Sequence, residues 1–117
     1  MTDRELLELA AKAAGIDYWI VKFAPRSAPI EKLHTTVDGE TVEWNPLTDD
    51  GDALRLAVKL DFHVQIDFDN DEIEAVYIWS RSESDESREV ISEKQDRYAA
   101  TRRAIVRAAA EIGKGME

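Results

Sequence analysis

The residues able to do chemistry in this chain fall in four places, and each asks for a different partner. Asp67, Asp69 and Asp71 in "DFDND" are spaced like the first three ligands of a calcium loop. That motif also needs glycine at its sixth position and a bidentate glutamate at its twelfth. Counted from Asp67, those positions hold Glu72 and Ile78, so the triplet reads as a solvated turn and no metal is expected. His63 and Asp67 share one face of an alternating segment with Gln65, and a His–Asp pair can act as a base. His34 is the only other histidine, and neither histidine lies on an expected helix where a ligand at i+4 would share its face. Ser80, Ser82, Ser84 and Ser87 lie in a polar stretch without the strand-to-helix elbow of a serine nucleophile. No catalytic residue is expected.

The third place is the helix start in "EWNPLTDDGDALRLAVKL", residues 43 to 60. A helix N-terminus offers free N–H groups and partial positive charge to a phosphate. Here Asp49, Asp50 and Asp52 would occupy those groups and repel an anion, and no lysine follows Gly51 in the phosphate-loop position. Capping is the expected role, and no cofactor is expected. Trp44 is the fourth. It stands at a strand end beside Asn45-Pro46 and the acidic helix start, where an aromatic ringed by acids suits a basic anchor or a cationic ligand.

The charge layout sharpens this expectation. The 117 residues carry a formal net charge of −10. Residues 36 to 76 hold twelve acids and two bases, Arg55 and Lys59, which accounts for all of it. Nucleic-acid binding is therefore not expected, since that affinity comes from cations displacing counterions. A basic protein surface is the expected partner, met by Trp44, Asp49, Asp50, Asp52, Asp67, Asp69, Asp71, Glu72 and Glu74. The absence of cysteine excludes disulfides and thiolate chemistry and fits a reducing, cytoplasmic setting. "MTDRELLELAAKAAG" has acids and bases throughout, unlike a signal peptide, and no apolar run reaches the roughly 20 residues of a membrane span.

These residues must be positioned by recognisable elements. Thr2 and Glu5 have capping-box spacing, and Leu6, Leu7, Ala10, Ala13 and Ala14 recur helically before Gly15. "IDYWIVKF" (16–23) reads as a strand. The Asp38-Gly39 pair predicts a two-residue hairpin with arms near 33–37 and 40–44. An edge strand of that hairpin, where exposed, offers pairing in a homodimer. A helix follows to about Leu60, with Ala53, Leu56, Ala57 and Leu60 as its buried stripe. "DFHVQIDF" and "IEAVYIWS" read as two strands joined by "DNDE". Both faces of the second are apolar, which predicts cover on both sides of the sheet. Residues 80 to 95 read as a polar, mobile stretch. The last helix, about 95–113, ends before Gly113 and Gly115 and takes Tyr98, Ile105, Ala108, Ala109 and Ile112 as its stripe. The expected fold is a single α+β domain over 1–117, a layered sandwich of three helices and a mostly antiparallel sheet of about five strands.

One segment also carries a resemblance. Trp44, Asn45, Pro46, Thr48, Asp49, Asp52, Ala53, Leu56, Lys59 and Leu60 resemble the signature of the phage αβα-sandwich domain family, small phage and prophage proteins. "TDRELLELAAKAAG" and "AATRRAIVRAAAEIG" resemble its two end regions, and together these cover roughly 45 of the 117 residues. The resemblance implies a layered fold and a phage origin, and supplies no catalytic residues. With the acidic span, it leads to the expectation of a non-enzymatic accessory protein acting in the host cell. Such a protein would bind a host protein through its acidic surface, an anti-defence (such as anti-CRISPR) inhibitor being one form. The alternative is a small-ligand or nucleotide binder without catalysis.

Overall fold

A computed structural model describes residues 1–23, 30–68, 74–80, 86–91 and 96–116. Three helices, α1 (Asp3–Ala14), α2 (Asp50–Lys59) and α3 (Arg97–Lys114), accompany six strands. The strands are β1 (Trp19–Phe23), β2 (Ile30–Val37), β3 (Glu40–Glu43), β4 (Phe62–Phe68), β5 (Glu74–Ser80) and β6 (Glu86–Ile91). They form two antiparallel three-stranded sheets, ordered β1-β2-β3 and β4-β5-β6. The α+β class is as expected. The single sheet of about five strands is not: α2 separates the two hairpin systems in sequence, and each closes as its own meander.

The local signals for the elements hold where the chemistry is strongest. Thr2 caps α1 by accepting from the Glu5 N–H at 3.2 Å. Gly15 closes the helix at φ 67°, a left-handed geometry that a Cβ would penalise. Asp38 (φ 50°) and Gly39 (φ 82°) form the turn that sets Val37 opposite Glu40. Both positions need positive φ, as a type I′ hairpin turn requires.

Helix α3 is the centre of the packing. It lies against α1, α2, β5 and β6, and its buried side is small: Ala100, Ala104, Ile105, Val106, Ala108, Ala109 and Ala110. Small side chains let α1 come close, and Gly113 meets the backbone of Leu9. Leu6, Leu7, Ala10 and Ala11 of α1, Leu33 of β2, Trp44, Leu56, Val76 and Ile78 complete one continuous core.

Several expectations need correction. Tyr98 is not in the buried stripe; it is 70% exposed, and Val106 and the small residues take its place. Gly113 lies within α3 rather than beyond it, because the chain needs a residue without a side chain at the crossing. Part of the polar stretch, Glu86–Ile91, is strand β6, paired along β5 from Glu74↔Ile91 to Trp79↔Glu86. Backbone pairing and α3 behind it outweigh a composition that reads as loop. Finally, among the described residues the second sheet is covered on one side only. Val76 and Ile78 are buried, but His63, Gln65 and Asp67 on the other face are exposed.

Candidate functional site

The sequence around Trp44 folds into a locked turn. The Trp44 N–H donates to the Leu33 carbonyl at 2.9 Å, so the tryptophan continues the β2–β3 ladder and enters the core at 6% exposure. Asn45 then organises the corner. Its side-chain oxygen accepts from the Leu47 N–H at 3.0 Å, and its carbonyl accepts from Thr48 N (3.1 Å) and Asp49 N (2.9 Å). Side-chain acceptors of this kind make a turn without help from elsewhere in the fold.

The three aspartates act next. Asp49 is the N-cap of α2, accepting from the Asp52 N–H at 2.8 Å. Asp52 reaches back and accepts from the Asn45 N–H at 3.0 Å, while its other oxygen takes a 2.7 Å bond from Arg55. Asp50 turns the other way, to Arg102 of α3 at 2.6 Å. The cap expectation is met, and all three carboxylates have named partners inside the chain. Their negative charge at this helix start repels a phosphate.

On one side of this turn lies a cleft of about 880 Å³. Its walls are the α1–β1 connection (Ile16, Asp17), the first sheet (Thr35, Val37, Val42, Glu43), Trp44, and Asp52, Arg55, Leu56 and Lys59 of α2. Trp19, 41% exposed, stands at its margin, stacked on His34 at 6.5 Å between ring centroids. Thr35 is buried, and its hydroxyl donates to the Asp17 carbonyl at 2.7 Å, which pins the Asp17 turn to β2. Asp17, Glu43, Asp49 and Asp52 share its lining with Arg55 and Lys59, four carboxylates to two cations. Arg55 is already engaged by Asp52, with Asp49 at 3.7 Å.

Trp44, Asp49 and Asp52 of the expected set therefore share one site, and Asp50 stands on the far side of α2 beside a different groove. Asp67 is remote, on the exposed face of the second sheet, where Gln65 donates to it at 2.9 Å. Glu74 begins β5, and Asp69, Asp71 and Glu72 lie outside the described residues. His63 and Asp67 do not form a dyad. Four residues along a strand separate them by roughly 13 Å, and His63 instead stacks on Trp79 with centroids 4.1 Å apart. Asp17, Trp19 and Glu43 join the site only through the β1–β2–β3 register, so nothing in their local sequence marks them.

Among the described residues, no group of three or more His, Asp or Glu side chains could hold a metal ion. Among them, too, no helix is long and apolar enough to cross a membrane. The class defined by fold and site is an α+β protein of two antiparallel meanders with an acidic, aromatic-walled cleft between the first meander and α2. No protein family, curated protein or solved structure matches the chain. The phage-family resemblance accordingly rests on the residues that carry it.

Proposed function

We propose that this protein is a non-enzymatic binding protein whose Trp44 cleft receives a basic side chain of a partner protein. The observation that carries the reading is the convergence of Trp44, Trp19, Asp17 and Glu43 on one cleft with a two-to-one excess of carboxylates over cations. Asp17 and Glu43 are exposed, and Glu43 has a 3.6 Å ion pair with Lys32. An arginine or lysine entering there meets aromatic walls and carboxylates whose charge complements its own. The acidic balance of residues 36 to 76 gives the chain a net negative charge that attracts a basic surface. The phage resemblance makes a host protein the expected partner, and a nucleic-acid-binding host factor would present such a surface.

The test uses Arg- and Lys-containing peptides selected from a display library on the intact protein. Binding is expected to weaken with salt and to fall at least about tenfold in Asp17→Lys/Glu43→Lys, as loss of 1.4 kcal/mol would give. Asp67→Lys, on the remote sheet face, should leave it unchanged. Peptide binding that ignores salt and the double reversal sinks the reading.

The cleft volume supports a second reading. About 880 Å³ is within the range of small-molecule sites. A thermal-shift screen of cationic metabolites and nucleotides separates the two, since a ligand at 100 times its Kd stabilises by about 2.7 kcal/mol.

A further inference from the structure

Strand β4 is an edge unlike the others. Among the described residues it pairs only with β5, so its other side presents free backbone N–H and C=O groups. Natural edges are usually guarded by charge, proline or shortness. Edge β1 carries Lys22, β3 is four residues long with Glu40 and Glu43, and β6 contains Glu86, Arg88 and Glu89. Edge β1 also has a single formal charge but is only five residues long; β4 runs seven, FHVQIDF, with Asp67 alone near its end.

That sequence is also chemically symmetric about Gln65. Set antiparallel to a second copy with Gln65 opposite the partner's Gln65, position 64 meets 66 and position 63 meets 67. Val64 then faces the partner's Ile66 on the helix-covered side. His63 faces the partner's Asp67 on the exposed side, an imidazole against a carboxylate, twice. Phe62 stands opposite position 68, also Phe. Cross-strand pairs of these kinds stabilise a sheet. Moving the centre to Val64 instead brings Asp67 opposite the partner's Asp61, two like charges. The same strand borders an apolar groove. Val64 and Ile66 line about 500 Å³ shared with α2 and α3, where Leu54 is 65% and Ile66 47% exposed. The two-fold axis stands perpendicular to the sheet, so both helix layers lie on one side and the two grooves approach each other.

We propose that the protein forms a two-fold dimer through β4, joining two three-stranded sheets into one of six strands centred on Gln65. The interface is isologous, as closed dimers require. The Trp44 cleft lies on the other side of α2, so each dimer carries two open clefts.

The chain has no cysteine, which makes the test direct. Gln65 is the residue of this strand that faces itself, and opposed residues have Cα atoms roughly 4.5–5.5 Å apart, within disulfide reach. Gln65→Cys is expected to give a disulfide-linked dimer on mild oxidation, whereas Asp38→Cys, at the remote hairpin turn, stays largely monomeric. Ile66→Lys is expected to convert a sedimenting dimer to monomer with unchanged circular dichroism. The proposal is overturned by a wild-type chain that sediments as monomer at millimolar concentration. It is equally overturned by a dimer in which the Gln65→Cys chain fails to crosslink, whether or not the Ile66→Lys chain folds.

Discussion

Arg102 and Asp50, 52 residues apart in sequence, join α3 to α2, with the guanidinium 2.6 Å from the carboxylate. The pair is asymmetric: the Arg102 side chain is 16% exposed and that of Asp50 is 70%. The Arg102 Nε–H also donates to the Leu47 carbonyl at 2.8 Å, so one side chain of α3 holds both the turn and the start of α2. Truncation should therefore be unequal. Arg102→Ala loses two charge-assisted bonds and strands a carbonyl, a cost of about 2–3 kcal/mol. Asp50→Ala should cost under about 1 kcal/mol, the usual worth of an exposed ion pair. Urea unfolding of the two variants measures the difference, and equal losses would contradict the geometry.

Gly113 offers a sign test. Replacing glycine by alanine inside an exposed helix normally stabilises by about 1 kcal/mol. Here a Cβ would land on the Leu9 carbonyl oxygen, with the Leu9 carbonyl carbon only 2.8 Å away. Both are backbone atoms, which cannot rotate aside. Gly113→Ala should thus destabilise, by about 1–3 kcal/mol as overpacking does. A raised thermal midpoint would mean that α1 and α3 do not meet at Leu9.

Much of this fold was legible because its signals are local. Thr2 with Glu5, Asp38-Gly39, and Asp49 before an Ala-Leu stripe each bring their own hydrogen bonds, and all three appear where expected. Strand β6 was illegible because ESREVI takes its structure from pairing with β5, not from its own pattern. Tyr98 was misplaced because an aromatic at helical spacing reads as core, while α3 buries small residues to admit α1. The same limit applies to the cleft. Trp44, Asp49 and Asp52 were visible as a cluster, but Asp17, Trp19 and Glu43 reach them only through the pairing of Trp19 with His34 and of His34 with Glu43.

Tyr18 gives the chain an alkaline sensitivity. Burial raises its pKa above the ordinary 10.0, and a hydrogen bond from its hydroxyl to Glu8 at 3.1 Å raises it further. The folded state therefore holds this proton more tightly than the unfolded chain. The stabilisation is fully present below pH 10 and is lost as pH rises through the folded-state value. Tyr18→Phe should remove that part of the alkaline decline in stability. It should also delete one late-titrating phenol from the ultraviolet pH titration. A deleted phenol that titrates at the ordinary 10.0 rather than above it would show that the Glu8 contact is absent in solution.

Asp49 and Asp52 decide between a cap and a ligand site. As the N-cap, Asp49 satisfies the Asp52 N–H, and Asp49→Ala should cost about 1 kcal/mol. Asp52 holds the Asn45 N–H, a half-buried donor with no other described acceptor, so Asp52→Ala should cost about 1–3 kcal/mol. Asp52→Asn keeps an acceptor oxygen and should recover much of the loss, since what it sacrifices is the bond to a 72%-exposed Arg55. The double Asp49→Ala/Asp52→Ala variant should be destabilised by about the sum of its parts. The backbone N–H of residue 52 that Asp49 caps survives truncation of the Asp52 side chain, and the two carboxylates otherwise meet only at the exposed Arg55. Groups kept for a ligand would behave oppositely: their removal would leave the denaturation midpoint alone and change only binding. Denaturation midpoints for the four variants, compared at constant m-value, distinguish the two roles.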